Sequence, residues 1–285
     1  MPENLRPFTA ECCFQAELSF DECSTYFNIL NQNPESSHQH LHDDMKENIV
    51  KNNTGFSDEV YRDASSGLAN EVNPWAFQCQ LRNFKNGIQT AKFLIFENLT
   101  SRFVNPCIMD LKLGVRQYGD DASEEKKLAQ EMKCANSTSK ELGLRMCGMQ
   151  FYDSSSSTYQ CFDKYHGRTL DQTGLKKLVA KFLKTSAGQL RREICSRLLK
   201  MLESLRKVIS ESDGLRLFGT SLLIVFEGSP NVENSNEIDV RLIDFANATF
   251  PGFNNSNSNA YSGPDAGCLL GLDTLIRFVE EELLK

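Results

Sequence analysis

Asp110 and Lys112 fall in the run Pro106-Cys-Ile-Met-Asp110-Leu-Lys112-Leu-Gly114, which has the form P-x-x-x-D-x-K-x-G. In an extended strand, residues two apart point to one face, so the carboxylate and the ammonium stand side by side. The glycine two positions on lets a bound group approach the backbone. Asp can hold a hydroxyl and Lys can neutralise phosphoryl charge, so the pair suits a reaction that handles a hydroxyl and phosphates in one site. A plain strand-end salt bridge has the same spacing, and two later segments tip the balance. Residues 219–228, Gly-Thr-Ser221-Leu-Leu-Ile-Val-Phe-Glu-Gly, have a buried-strand pattern with a serine near its start. Residues 238–247, Ile-Asp-Val-Arg-Leu-Ile-Asp244-Phe-Ala-Asn247, alternate up to Asp244, where a strand gives way to a loop. A carboxylate at such a place commonly holds a metal that bridges nucleotide phosphates.

In this order the three segments resemble the motifs P-x-x-x-D-x-K-x-G, S-[ST]-S-L-L and I-D-F-A-H of the inositol polyphosphate kinase family. The likeness is greatest to its inositol hexakisphosphate kinases. Asn73-Pro-Trp75, Lys92-Phe-Leu-Ile-Phe-Glu97-Asn-Leu99-Thr-Ser-Arg102 and Gly114-Val-Arg116-Gln-Tyr-Gly-Asp-Asp-Ala-Ser-Glu-Glu are similar to segments of that subfamily. So are Asp163-Lys-Tyr-His-Gly-Arg168 and Gly263-Pro-Asp-Ala-Gly267. The resemblance covers about residues 71–285, with a weaker trace near residues 1–20.

The resemblance implies an α+β, two-lobe kinase-like fold with an incomplete small lobe. Residues 1–100 would be that small lobe, with a mobile insertion at 28–57, and residues 101–285 the large lobe. Its implied activity is ATP-dependent phosphorylation of inositol hexakisphosphate to an inositol pyrophosphate. Two alternatives stand beside it: a kinase of lower inositol polyphosphates, and a non-catalytic inositol phosphate-binding protein. ATP and Mg²⁺ are the implied cofactors. Adenine would pair with the Glu97 carbonyl and the Leu99 amide. Asp110 would contact the ribose, the attacking hydroxyl or both, and Lys112 would neutralise charge between the transferred group and the substrate. Asp244 would bind the metal, and Ser221 would help hold its water shell.

The substrate face would be the helix after the first motif. Lys126, Gln130 and Lys133 lie at i, i+4 and i+7, so one helical face carries all three. A polyphosphate needs such a row, because each unpaired phosphate is costly to desolvate. Arg116 could add a bidentate contact.

Two departures from the family pattern matter. Asn247 stands where the family has a histidine that touches a substrate phosphate; Asn donates a hydrogen bond but brings no charge. No K-P dipeptide occurs, although the family's small lobe carries a phosphate-gripping lysine in that context. The chain therefore reads as short at its amino end, and a weak kinase as it stands.

Composition bounds the alternatives. The chain has 285 residues, 40% of them hydrophobic, enough for one large domain or two lobes. Mean hydropathy is −0.40, and the longest apolar run is of strand length, so no membrane span is expected. Ten cysteines occur without a C-x-x-C pair, which argues against zinc and for reduced, mostly buried thiols in a cytoplasmic or nuclear protein. Residues 1–100 hold seven Lys/Arg and fourteen Asp/Glu, so the net charge of −7 sits entirely in the first third. That speaks against a nucleic-acid partner. A monomer is expected.

The positioning elements follow from the pattern. Phe93 to Phe96 reads as a buried strand leading to the Glu97–Leu99 segment. Ser123 to Asn136 reads as a helix with Ser123 as N-cap. Met146–Tyr152 and Tyr159–Tyr165 read as a hairpin about Asp153-Ser-Ser-Ser-Ser157-Thr. Residues 171–210 read as helices broken near Ser186-Ala-Gly188, with ten Lys/Arg against two acids between Leu175 and Lys207. Gly271 to Leu284 reads as a closing amphipathic helix. His38, His40 and His42 alternate inside the insertion, where a solvated loop is favoured over a metal site.

Overall fold

The computed structural model describes residues 2–20, 25–30, 90–229, 232, 235–253 and 261–285. The chain forms two compact units, residues 11–97 and residues 1–10 with 98–285.

The smaller unit contains a three-stranded antiparallel sheet of β1 (Cys12–Phe20), β2 (Thr25–Leu30) and β3 (Thr90–Phe96), in the order β2-β1-β3. The expected strand at Phe93–Phe96 is thus present, but it is not buried: Leu94 and Phe96 are about half exposed. It lies at a sheet edge, and no second layer covers these side chains among the described residues. Residues 28–30, expected in the insertion, lie in β2. The rest of that insertion, with its three histidines, and Asn73-Pro-Trp75 fall outside the described residues.

The larger unit is built on a five-stranded antiparallel sheet, ordered β6-β5-β4-β8-β9. Its strands are β4 (Pro106–Leu113), β5 (Leu144–Asp153), β6 (Thr158–Phe162), β8 (Ser221–Glu227) and β9 (Ile238–Ile243). A short ribbon joins β7 (Arg216–Phe218) to β10 (Asn247–Thr249). The helices are α1 (Glu124–Ala135), α2 (Ser139–Leu142), α3 (Lys164–Thr169), α4 (Gln172–Phe182), α5 (Arg192–Ser210) and α6 (Ala266–Leu283). An antiparallel sheet packed against helices makes the larger unit an α+β fold.

The central strand, β4, alternates as its sequence requires. Cys107, Met109, Leu111 and Leu113 are buried, while Asp110 and Lys112 lie on the opposite, less buried face. The buried face meets the helical layer. Helix α5 turns Ile194, Cys195, Leu198, Leu202, Leu205 and Ile209 into the core, the three-and-four spacing of an amphipathic helix. Helix α6 contributes Leu272, Leu275, Phe278 and Val279. None of the helices among the described residues is long and apolar enough to cross a membrane.

Caps set where elements begin. The Asp163 side chain accepts from the amides of Tyr165 and His166 and opens α3, so β6 stops at Phe162, short of the expected Tyr165. Asp265 accepts from the Cys268 amide and starts α6 at Ala266, earlier than the expected Gly271.

The first residues also require a correction. Placing everything before residue 100 in a small lobe puts residues 1–10 in the wrong unit. The 3-10 turn Glu3–Phe8 buries Leu5 and Phe8 in the core of the larger unit, and Arg241 donates to the Pro7 carbonyl at 2.8 Å. The physical reason is the apolar area of those two side chains, which α5 and β9 cover.

Candidate active site

Strand register brings the three motifs together. Lys112 on β4 pairs with Ser221 on β8, and Ser221 pairs with Ile243 on β9. Asp244 follows at once, in the left-handed region at φ 67°. Asp tolerates that conformation better than most residues but still at a cost, and strain of this kind gathers at functional sites. Thr220 Oγ1 donates to the Asp244 carbonyl at 3.3 Å and helps hold the turn.

The Lys112 ammonium donates to Asp244 Oδ2 at 2.9 Å and to the Gly219 carbonyl at 2.6 Å. Its side chain is 18% exposed and that of Asp244 60%, so the cation is sheltered while the carboxylate faces outward. Asp110 shares the face of Lys112. Burial raises its pKa above the usual carboxylate range; the Ser221 hydroxyl, the Lys112 ammonium and the Arg145 guanidinium oppose the rise, and Asp244 adds to it. The Ser221 hydroxyl lies near enough to favour the ionised form. Yet neither Asp110 Oδ1 nor the fully buried Ser221 Oγ has a well-formed hydrogen bond among the described residues. Buried polar atoms without a partner are uncommon and mark a place built for something else.

The neighbouring strand completes this face with residues that the motifs do not contain. Arg145, buried on β5, pairs with Lys112, and Gly148 pairs with Asp110 across a bulge at Cys147. A Cβ at Gly148 would meet nothing within 4 Å, so the space in front of Asp110 is open. The sequence signal for Arg145 was a basic residue at the start of a mostly apolar strand.

Helix α1 forms as expected, with Ser123 Oγ accepting from the Lys126 amide at 3.3 Å. Lys126 and Lys133 are exposed and Gln130 is half-buried; no ion pair involves either lysine among the described residues. Lys127 pairs with Glu124 at 2.7 Å.

Arg116 departs from expectation. Its guanidinium donates to Asp120 at 2.6 Å, to the Tyr261 hydroxyl and to the Tyr118 carbonyl, both at 3.0 Å, and stacks on Phe218 at 4.0 Å. A side chain so committed is not free to grip a substrate phosphate bidentately. Asn247, at the start of β10, sits where Gly119 and Gly219 come close: Cβ atoms there would lie 3.2 Å from its Oδ1 and Nδ2. Its carboxamide therefore borders the Gly219 turn that holds Lys112.

Glu97 is tied to Glu11, the residue before β1, its amide donating to the Glu11 carbonyl at 2.9 Å and its carboxylate accepting from the Glu11 amide at 3.0 Å. The Glu97 carbonyl and the Leu99 amide have no hydrogen-bond partner among the described residues.

The fold and this cluster define a class: an antiparallel α+β protein whose central strand presents an Asp-x-Lys pair to a carboxylate on a strained turn. The inositol polyphosphate kinase family model matches residues 93–280. The chain belongs to the inositol polyphosphate kinase family. It is 36% identical over 236 residues to inositol hexakisphosphate kinase 3 of Homo sapiens, covering 73% of this chain and 57% of that protein. It is 32% identical over 282 residues to inositol hexakisphosphate kinase 1 of Rattus norvegicus, covering 85% and 63%. The chain thus spans about three fifths of the length of these relatives. Among solved structures, it is similar to an inositol phosphate multikinase at 25% identity and a TM-score of 0.57, covering 66% of this chain and 84% of that one. The fold of the S. cerevisiae multikinase Ipk2, solved with ADP and Mn²⁺, is similar at 23% identity and a TM-score of 0.55, covering 68% and 84%.

Proposed function

We propose that this protein transfers a phosphoryl group from ATP to inositol hexakisphosphate, making an inositol pyrophosphate. The carrying observation is the Lys112 ammonium held between the Gly219 carbonyl and Asp244, beside an Asp110 oxygen that has no hydrogen-bond partner among the described residues. Phosphoryl transfer needs little covalent help from the protein but much positioning and charge neutralisation.

The donor set fits a divalent cation. Asp244 offers an exposed carboxylate and Ser221 a buried hydroxyl oxygen without a hydrogen-bond partner among the described residues, and a cation there would remove the cost that Asp244 adds to charge on Asp110. No cluster of three or more His, Cys, Asp or Glu suited to a metal occurs among the described residues, so nucleotide phosphates and water would supply the other ligands. Mg²⁺ is the ion proposed, and when bound with the nucleotide it supplies Lewis-acid neutralisation of the phosphates.

The protein's own groups do the rest. Asp244 would hold the ion, and the Ser221 hydroxyl would help hold its water. Asp110 orients the nucleotide ribose or the acceptor oxygen. Lys112, already sheltered from water, stabilises charge on the transferred group. Lys126, Gln130, Lys133 and Asn247 bind the remaining phosphates. Arg116 is left out of the phosphate-binding set. The identities favour the hexakisphosphate over lower inositol phosphates, since 36% and 32% are the values to hexakisphosphate kinases. The proposed compartment is cytoplasm or nucleus: the eight described cysteines are free thiols, four of them buried.

The test is a turnover assay with ATP and Mg²⁺, run side by side on inositol hexakisphosphate and inositol trisphosphate. Asp244→Asn should lower turnover at least about a hundredfold, the scale of one lost electrostatic stabiliser, with the fold intact by circular dichroism. Wild-type turnover in that variant would remove Asp244 from the mechanism. Faster turnover of the trisphosphate would move the protein to the lower inositol phosphates.

A further inference from the structure

The ten-residue connection from β4 to α1 links the Asp110–Lys112 face to the helix that bears Lys126, Gln130 and Lys133. A charge-assisted triangle closes it. Arg116 Nη2 donates to Asp120 Oδ1 at 2.6 Å, Arg116 Nη1 donates to the Tyr261 hydroxyl at 3.0 Å, and that hydroxyl donates to the same Asp120 oxygen at 2.6 Å. Two members belong to the connection. The third arrives from 141 residues further along the chain.

Tyr261 is itself well anchored. Its ring meets Phe218 edge-on at 5.7 Å and lies under the Arg216 guanidinium at 4.7 Å. Arg216 also donates to the Ser262 and Gly263 carbonyls at 2.8 and 2.9 Å. The Arg116 guanidinium is held between the rings of Phe218 and Tyr118, at 4.0 and 4.6 Å. Tyr118 carries the restraint on to the helix, its hydroxyl donating to Glu131 of α1 at 2.6 Å.

We infer that Tyr261 is a positioning residue for substrate recognition: its hydroxyl closes the triangle that sets α1, and with it Lys126 and Lys133, at a fixed distance from Lys112. The inference rests on the kinase reading above for its substrate, though not for its geometry. A row of lysines on a helix with few buried residues reads polyphosphate geometry only if the helix is held, because ordering it on binding would subtract from affinity. Charge-assisted bonds in a half-buried network are suited to that holding role.

Tyr261→Phe is the informative change. It keeps the ring on Phe218 and beneath Arg216 and removes only the hydroxyl. Hydrogen exchange should quicken across residues 117–133 and not in β8 or α6, with the melting temperature nearly unchanged. The KM for inositol hexakisphosphate should rise roughly three- to tenfold, as expected for one lost hydrogen bond, while the KM for ATP stays put. Adding Tyr261→Phe to Arg116→Lys should cost little more than Arg116→Lys alone, since both break one triangle. Unchanged exchange at 117–133 would overturn the inference whether or not the protein is a kinase. Additive losses, or an equal rise in the KM for ATP, would overturn it too. Absence of wild-type turnover would sink the kinase reading and leave the exchange result to decide on the latch.

Discussion

Asp110 sits where a carboxylate is costly. Burial raises its pKa, and one of its oxygens has no hydrogen-bond partner among the described residues. A carboxyl whose folded pKa lies above its unfolded value weakens the native state at neutral pH. That penalty shrinks as pH falls below the raised value and is gone below the unfolded value, where both states hold the proton. Asp110→Asn should therefore raise the melting temperature at pH 7, with the gain shrinking in acid, and should also cut turnover by about a hundredfold or more. Melting curves at pH 7 and pH 4 check the first part. A variant less stable than wild type at pH 7 would mean that the carboxylate is better satisfied than its surroundings indicate.

At the scale of the element, α1 is a scaffold for charge rather than a core helix. Cys134 is the residue it buries among those described, and Lys126 and Lys133 stand on its flank without ion pairs there. Replacing either by Ala removes no packing but, on the proposed function, deletes one charge-assisted contact to a polyphosphate. Each change should weaken inositol hexakisphosphate binding by roughly 1.5–3 kcal/mol and leave ATP binding nearly unchanged. Calorimetry with both ligands decides it; equal losses for ATP would remove these lysines from the substrate site. The large basic excess between Leu175 and Lys207 tells against reading charge from composition alone. Arg206 pairs with Asp273, Lys184 with Glu282 at 3.3 Å and Arg197 with Glu193 at 2.8 Å. Much of that excess is balanced locally, as on an ordinary solvated helix face.

At the scale of the larger unit, the face that carries Asp110 and Lys112 depends on how closely α6 approaches the sheet behind it. A Cβ at Gly271 would lie 2.2 Å from the Gly143 carbonyl oxygen and 3.0 Å from Leu113 Cδ2. Gly143 itself adopts φ 59°, so the chain turns there into β5 with no slack. Gly271→Ala, favourable in an isolated helix, should instead destabilise the protein by about 2 kcal/mol through overpacking against backbone. Denaturant unfolding measures this. A neutral or stabilising effect would show that α6 can move away from β4 without loss.

Period-two alternation in residues 106–113 was sufficient to put Asp110 and Lys112 on one face and Met109, Leu111 and Leu113 on the other, because pleating is a local property. The Ser123 cap and the break near residue 188 were legible for the same reason. Asp244 could be recognised as a loop carboxylate at a strand end. Its pairing with Lys112, 132 residues away, could not, since register across β4, β8 and β9 depends on a core no short window contains. Arg145 and Gly148 enter the site by the same route. The commitment of Arg116 to Asp120 and Tyr261, and of Leu5 and Phe8 to the larger unit's core, likewise depends on neighbours that only the folded chain supplies. Sequence thus determined which side chains were available and which way each faced along its own strand or helix. Tertiary packing decided which of them meet, because contact between distant segments follows from burying a shared apolar face rather than from any one segment's pattern.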